Sequence, residues 1–415
     1  MQSRRDLLKL TTAGVGLSLS STRLWAEGEK LKPKLIAAII TEYRPNSHAD
    51  VLVGKILEGW KQDGGAGPAL RLAAMYVDQF PANDLARPMA EKHKVPIFDT
   101  IEQALTLGGD RIAVDGVISI GEHGDYPWND KGQHLYPRRR FFAGITAAFA
   151  KYKQVVPVFN DKHLGPLWGD ALWMYEQAKK LKVPFMAGSS LPVTFRDPDL
   201  TVPMGSEIET AVGTGYSGLD IYGFHALECF QACVERRRGG ERGVKSVQCL
   251  PGDAMWKAVD AGAIDKTVLQ AALDALPHHK DGDLRKGESA IFLFDYVDGF
   301  KGAVLMLPNF VGGSAVALKI KGEKKLLATR FEERTEPRYP HFAYLLKAIE
   351  RMMHSGQPSY PVERTLLTAG ILDRALTSLA EGQKRLMTPE LAIEYQPVDY
   401  PHAPKPELES AISKQ

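Results

Sequence analysis

The chain has 415 residues, which at roughly 150 residues per domain predicts two or three domains with large buried cores. Lysine and arginine total 52 and aspartate and glutamate 50, and a net charge of +2 argues against broad binding to a nucleic-acid backbone. Hydrophobic residues make up 44% of the chain, and no run approaches the roughly 18 apolar residues that stable membrane insertion requires.

The first 26 residues carry the pattern of an export signal. Arg4 and Arg5 stand directly before a weakly apolar segment, residues 10–19, and the small residue Ala26 follows at a plausible cleavage point. This segment resembles a twin-arginine (Tat) signal. The resemblance implies recognition by the Tat export machinery and a periplasmic or extracellular location for the mature protein.

From residue 34 onward, predicted strands alternate with predicted helices. Short apolar runs, as expected for parallel strands covered on both faces, lie at 35–40, 70–77, 95–98, 114–120 and 155–159. Helical patterns separate them at 49–60, 83–93, 100–107 and 139–152. This alternation implies right-handed crossovers, so residues 34–164 are predicted to form a Rossmann-like, doubly wound parallel sheet.

The order of elements changes in the second half. Helices predicted at 169–181 and 219–237 precede strands at 244–250, 290–296, 303–307, 315–320 and 326–331, with hairpin-turn signals at 298–299 and 321–322. Successive strands without intervening helices predict a large, mostly antiparallel sheet. Residues 165–395 are therefore assigned to an α+β domain. This domain is expected to bind the substrate and, through the open face of its sheet, to form the interface of a homo-oligomer. A helical stretch at 340–382 and a Pro-rich tail at 396–415 complete the chain.

The three cysteines are predicted to be structural. Cys229 and Cys233 are four residues apart on a predicted helix, and Cys249 lies in a predicted strand. No zinc-type spacing is present, so we expect small, buried thiols.

Four segments together carry a family resemblance. In chain order they are 114–120, 158–163, 223–228 and 361–373. Segment 158–163 reads Val-Phe-Asn-Asp-Lys-His where the family usually has Glu-Lys-Pro. With these segments in this order, residues 34–395 resemble the Gfo/Idh/MocA oxidoreductase family. The resemblance implies an enzyme that oxidises a secondary alcohol of a sugar, glycoside or cyclitol by hydride transfer to a tightly bound NAD(P).

The same resemblance implies two catalytic residues. Lys162 matches the lysine beside the nicotinamide, where an ammonium group stabilises a developing alkoxide. His225 matches the histidine that faces the substrate hydroxyl as a general base. Further substrate contacts are expected from Glu228, one helical turn after His225, from His123 in the polar loop after strand 114–120, and from Arg196.

The predicted dinucleotide site departs from the family pattern. The turn after the first strand, residues 41–48, contains no glycine where the family has Gly-x-Gly-x-x-Gly. Asp78, at the end of the second strand, stands where a carboxylate accepts from the adenosine ribose, which favours NAD over NADP, although a turn or helix cap also suits an aspartate there. The predicted cofactor contacts are Thr41, Tyr43, Asn46, Asp78, Glu122 and Asp161.

Two other functions fit the sequence. The missing glycines are compatible with a cofactor-free, Rossmann-derived carbohydrate-binding protein. Alternatively, the polar loop residues His123, Asp125 and His134 converge with Asp161, His163 or Glu228 in a metal-assisted lyase or isomerase of a keto sugar. Nothing has the spacing of a known metal motif, so no metal ligand is predicted. For an exported nicotinamide enzyme we expect NAD that does not exchange.

Overall fold

The computed structural model describes residues 31–277 and 283–404, and the predicted export signal lies outside the described residues. The described helices are α1 (His48–Glu58), α2 (Ala86–His93), α3 (Ile101–Thr106), α4 (Arg138–Tyr152), α5 (Trp168–Leu181), α6 (Ile221–Val234), α7 (Gly252–Asp260), α8 (Lys266–Asp274), α9 (Pro340–Ser355) and α10 (Val362–Ala380). Within this part of the chain, no helix has the length and apolar character needed to cross a membrane.

The first sheet is parallel throughout. Its strands are β1 (Lys34–Ile40), β2 (Leu70–Val77), β3 (Ile97–Phe98), β4 (Gly116–Ile120), β5 (Val158–Asp161) and β6 (Phe185–Gly188), in the order β3-β2-β1-β4-β5-β6. Strands β2 and β3 are added on one side of β1, and β4, β5 and β6 are added on its other side, so the order of strand addition switches between β1 and β4. In open α/β sheets of this kind, ligands bind outside the carboxyl ends of the strands at such a switch point.

The second sheet is mixed and mostly antiparallel. It contains β7 (Phe195–Asp197), β8 (Ile208–Gly215), β9 (Val244–Pro251), β10 (Ala290–Tyr296), β11 (Lys301–Met306), β12 (Ser314–Ile320), β13 (Leu327–Glu332) and β14 (Leu386–Met387). The order is β14-β9-β10-β11-β8-β12-β13-β7. Among the described strand pairs of this second sheet, only that of β8 and β11 is parallel. The predicted combination of a Rossmann-like sheet with a large, mostly antiparallel sheet is confirmed.

Several details differ from the sequence analysis. The parallel sheet continues beyond residue 164, because β6 pairs with β5. Strand β8, which the sequence analysis missed, lies between β11 and β12 in the second sheet. The single helical stretch predicted at 340–382 is two helices, since Gly356 ends α9 in a left-handed conformation (φ 70°) and Pro361 precedes α10.

The two halves of the chain share their cores. Buried side chains of α9, including Phe342, Leu345 and Ile349, pack with those of β1 and α1 in one hydrophobic cluster, although α9 follows the second sheet in the chain. The three cysteines are free and buried, as predicted. Consequently, segments from both halves meet at the carboxyl edge of the parallel sheet.

Candidate functional site

A cavity of about 600 Å³ opens at the carboxyl edge of the parallel sheet and is closed on its other side by the second sheet. This volume lies within the range of about 300–1,000 Å³ that is typical of small-molecule sites. Five residues singled out from the sequence line it, namely Asn46, Glu122, His123, Lys162 and His225. The structure therefore brings together residues from the ends of β1, β4 and β5 and from α6.

Lys162 lies at the floor of this cavity, paired with a buried carboxylate. Its ammonium group is 3.0 Å from Oε1 of Glu122, and the guanidinium of Arg138 is 2.5 Å from Oε2. Burial alone would raise the pKa of Glu122, but the charges of Lys162 and Arg138 outweigh it and hold the pKa well below its usual value. The carboxylate thus stays ionised and fixes the ammonium at the end of β5.

His225 is held by the segment that follows β6. Its Nδ1 lies 2.6 Å from the hydroxyl of Ser189, which leaves Nε2 for a ligand. Burial lowers the pKa of His225 well below its usual value, so the ring is neutral at pH 7. Glu228 does not line the cavity. It accepts from the backbone N–H of Ser189 and from the hydroxyl of Thr368, and so supports His225 only through Ser189.

A further histidine at the cavity was not identified from the sequence. His48, the first residue of α1, has its Nδ1 2.6 Å from Oδ2 of Asp161. Its ring meets Phe342 and His123 edge-on, with centroids 4.9 and 5.3 Å apart. Burial lowers the pKa of His123 to about 3, so His123 is neutral at ordinary pH.

The turn after β1 is filled by side chains rather than left open. Tyr43 is fully buried in the core, and the hydroxyl of Thr41 donates to the backbone oxygen of Glu122, so neither residue lines the cavity as predicted for a cofactor contact. Asn46 does line it and adopts the left-handed conformation (φ 62°) that a glycine would otherwise supply. Side chains therefore occupy the space that glycines leave open in the family pattern.

The start of α1 is already capped by an anionic side chain. Ser47 accepts from the N–H of Asp50, and Asp50 accepts in return from the N–H of Asn46 at 2.8 Å, which forms a reciprocal capping arrangement. Arg338, from the segment before α9, lies 2.6 Å from the same carboxylate. The carboxylate of Asp50 thus stands where a helix N-terminus in such folds receives a phosphate.

Asp78 is also engaged within the chain. Both Tyr76 and Tyr126 donate to its carboxylate at 2.7 Å, and Arg140 does so at 2.5 Å. Gln79 also binds the loop that carries Tyr126. Its side-chain amide donates to the backbone oxygen of Asp125 and accepts from the N–H of the same residue. The loop after β4 therefore covers the end of β2.

The residues present fit a nicotinamide dinucleotide at one end only. Lys162, Asn46 and the first turn of α1 face the cavity and suit the nicotinamide side. On the adenosine side, the carboxylate of Asp78 already accepts from three donors, Tyr76 at Oδ1 and Tyr126 and Arg140 at Oδ2. An adenosine ribose would compete with Tyr126 for this carboxylate.

The position of Arg196 differs from the predicted substrate contact. Arg196 does not line the cavity. Its guanidinium is buried, donates to the backbone oxygens of Leu200 and Pro192, and lies over the ring of Phe331. Within residues 31–277 and 283–404, no group of three or more His, Cys, Asp or Glu residues is arranged to hold a metal ion.

The far wall of the cavity comes from the second sheet and its connections. Tyr216 donates to both carboxylate oxygens of Glu333 at 2.9 and 3.0 Å, and its ring lies 4.8 Å from that of Tyr222. His341 lines the same wall, and its pKa is lowered to about 4 by burial. No local sequence signal marks these residues, because their position depends on the pairing of distant strands.

The fold is similar to that of solved dehydrogenase structures of the Gfo/Idh/MocA type. GenD2 from gentamicin A biosynthesis, solved in complex with NAD, is 12% identical with a TM-score of 0.56, and the match covers 87% of this chain and 98% of GenD2. Apo scyllo-inositol dehydrogenase from Lactobacillus casei is 9% identical with a TM-score of 0.54 over 86% of this chain and 99% of its own.

A myo-inositol dehydrogenase from Corynebacterium glutamicum is 11% identical with a TM-score of 0.50, and the match covers 85% of this chain and 98% of that one. No family model matches the sequence, and a search of curated proteins finds no match. Identities this low establish the fold and leave the activity to be argued from the site.

Proposed function

We propose that the protein is an oxidoreductase that acts on a secondary alcohol of a sugar or cyclitol, with NAD as the hydride acceptor. The observation that carries this proposal is the position of Lys162, which follows β5 directly, lies 3.0 Å from the carboxylate of Glu122 and lines a cavity of suitable size. The solved structures with this fold, one of them a complex with NAD and two of them inositol dehydrogenases by name, support the choice of class.

The chain's own residues account for the proton transfer. Lys162 can donate to the substrate oxygen and stabilise an alkoxide as it forms, because its charge is fixed beside the cavity by Glu122. His225 is neutral, and where its Nδ1–H donates to the hydroxyl of Ser189, the lone pair of Nε2 can accept the hydroxyl proton of the substrate. The hydroxyl groups of Tyr216 and Tyr222 on the opposite wall suit the remaining hydroxyls of a polyol.

The dinucleotide, when bound, supplies the hydride acceptor. Asn46 and the first turn of α1 would hold its nicotinamide side, and Asp78 would receive its adenosine ribose in place of Tyr126. Slow release is expected of a cofactor whose binding requires a covering loop to move, in line with the expectation of NAD that does not exchange.

A second candidate is a dinucleotide-free protein that binds or converts the same class of substrate. It is favoured by the engaged state of Asp78 and Asp50, which hold Tyr126 and Arg338 where a dinucleotide would need acceptors and a phosphate site. Under this alternative the cavity alone receives the carbohydrate.

One experiment separates the two candidates. The purified protein is denatured, the released small molecules are assayed for NAD(H), and binding of added NAD is measured by calorimetry in the parent and in Tyr126→Phe. Tyr76→Phe is the matched control, since it removes a bond to the same carboxylate without releasing the loop. We expect retained NAD(H) in the parent and faster uptake in Tyr126→Phe alone. If none of the three proteins contains or binds NAD, the second candidate replaces the first.

Export by the Tat route is proposed separately and rests on Arg4 and Arg5 alone. Changing both residues to lysine is expected to leave the precursor in the cytoplasm. Fractionation of cells that express the parent or the double variant tests this, and export of the variant at the parental rate would rule the signal out.

A further inference from the structure

The pair formed by His48 and Asp161 has no role in the hydride-transfer proposal. Two segments far apart in the chain build it, because His48 begins α1 and Asp161 ends β5. Asp161 is buried, with a side chain only 1% exposed, whereas that of His48 is 14% exposed and lines the cavity. A buried carboxylate therefore holds a histidine whose other edge is open to a ligand.

The geometry defines which nitrogen is reactive. With the carboxylate of Asp161 as acceptor, Nδ1 of His48 is the donor, and Nε2 is the ring nitrogen left for a ligand. The edge-on contacts with Phe342 and His123 limit rotation of the ring. A histidine oriented in this way by a carboxylate is a suitable general base.

The same cavity contains the complementary electrophilic group. Lys162 follows Asp161 directly in the chain and also lines the cavity, with its ammonium held by Glu122. The lysine adopts a left-handed conformation (φ 61°), so the chain turns sharply after Asp161 and the two side chains serve different partners. A base and an ammonium group thus face one small-molecule site.

We propose that His48 and Lys162 catalyse enolisation of an α-hydroxy ketone, a ketose or keto-cyclitol, without a dinucleotide. Nε2 of His48 takes the proton from the carbon next to the carbonyl, and the electron pair of that C–H bond forms a carbon–carbon double bond. The carbonyl π electrons move to oxygen, where Lys162 donates a hydrogen bond to the enolate. Return of the proton to the same carbon gives an exchanged or epimerised sugar. When the neighbouring hydroxyl first passes its proton to the enolate oxygen, return of the proton to the former carbonyl carbon gives an isomerised sugar, and in neither case is an oxidant or reductant consumed.

This activity does not depend on hydride transfer. It requires the cavity, His48 and Lys162, all of which are in place in the described arrangement, whereas the carboxylate proposed to receive a dinucleotide's ribose is already bound by Tyr126. Asp161 is a positioning residue in this reaction, because it acts through His48.

The test is exchange of carbon-bound protons with solvent. The full-length protein, with its NAD(H) content measured by mass spectrometry, is incubated in D₂O with 2-keto-myo-inositol, D-fructose or L-sorbose, with and without added NAD. Loss of the signal of the proton next to the carbonyl is followed by proton NMR. We expect exchange above the uncatalysed rate for at least one of these compounds, unchanged by NAD. Absence of exchange with all three, or exchange only when NAD is added, would overturn the proposal.

Variants assign the activity to residues. His48→Asn can still bond to Asp161 but has no base, and we expect exchange to fall by about 100-fold or more. Asp161→Asn should lower the rate by favouring the wrong tautomer, and Asp161→Glu should restore part of it. His93→Asn is the matched control, because His93 pairs with Glu58 outside the cavity.

The outcomes distinguish this proposal from that of the oxidoreductase. Parental exchange in His48→Asn, with an unchanged melting temperature, would refute the role of His48. NAD-dependent oxidation without any exchange would support only the oxidoreductase. Exchange in a protein that never binds NAD would support only the enolisation.

Discussion

The pairing of Glu122 predicts an unusual order of stability among variants of the site. Its carboxylate faces two cations, Lys162 at 3.0 Å and Arg138 at 2.5 Å, and all three side chains are less than 5% exposed. Glu122→Gln would leave two buried cations without their common counterion. Removing one member of a buried charge pair typically costs about 3–5 kcal/mol, so we expect a loss of that size.

Lys162→Met should lower the stability of the fold less than Glu122→Gln does, because Glu122 and Arg138 remain as a neutral pair. Loss of one hydrogen bond to a charged group typically costs about 1.5–3 kcal/mol. In the double variant only one buried cation, Arg138, is left without the carboxylate, whereas Glu122→Gln alone leaves two. The loss of stability in the double variant should therefore be smaller than the sum of the single losses by about 0.5–3 kcal/mol.

Urea unfolding followed by tryptophan fluorescence measures these differences without knowledge of the substrate. Comparison of the slopes with denaturant shows whether each variant unfolds in the same manner as the parent. If Lys162→Met proves more destabilising than Glu122→Gln, or if the two changes are simply additive, Glu122 is not the shared counterion that the distances indicate.

Three further predictions concern residues outside this charge cluster. Burial raises the pKa of Glu350 to about 7 from 4.5, so the folded state binds this proton more tightly and about 3 kcal/mol of stability, complete below pH 4.5, is lost as pH rises through 7. Thermal melts between pH 4.5 and 8 should show this loss in the parent and a flatter profile in Glu350→Gln. Arg196→Met should lower the melting temperature but leave ligand affinity unchanged, because its guanidinium binds backbone oxygens away from the cavity; weaker ligand binding by a folded variant would contradict this. Arg338→Ala should free the carboxylate of Asp50 and increase exchange of the first amides of α1, as hydrogen exchange can measure, and unchanged protection would show that the capping serine suffices.

The sequence identified those site residues that stand at the ends of strands. Lys162 follows the apolar run that forms β5, and Glu122 follows the run that forms β4. Because the carboxyl ends of parallel strands share one edge, their proximity follows from the fold class. The start of α1 was also readable, since Ser47 and Asp50 have the spacing of a capping box, and this signal would have placed His48 at the first helical position.

Other residues could not be placed because local patterns do not determine their surroundings. Nothing near Asp78 in the sequence shows that Tyr126, from a loop after another strand, binds its carboxylate. Arg196 was expected near the ligand, but the turn at Leu191–Val193 directs its side chain to carbonyl groups within the protein. The far wall depends on β8, whose run from Ile208 to Gly215 has β-branched residues at alternate positions, a strand signal that the sequence analysis missed. Its place between β11 and β12 is set by distant strands, which that local pattern does not identify.

The position of β8 also affects the order in which the protein can fold. This strand precedes α6, yet its neighbours in the sheet are β11 and β12, both far downstream: Gly213 pairs with Val304 on one side and with Val316 on the other. Long chain loops must therefore close before β8 gains its partners, and such non-local pairing slows folding. Tyr216 follows β8 directly, so the wall that it forms must be among the last parts of the cavity to assemble. A refolding chain should consequently regain helical signal well before it can bind a ligand.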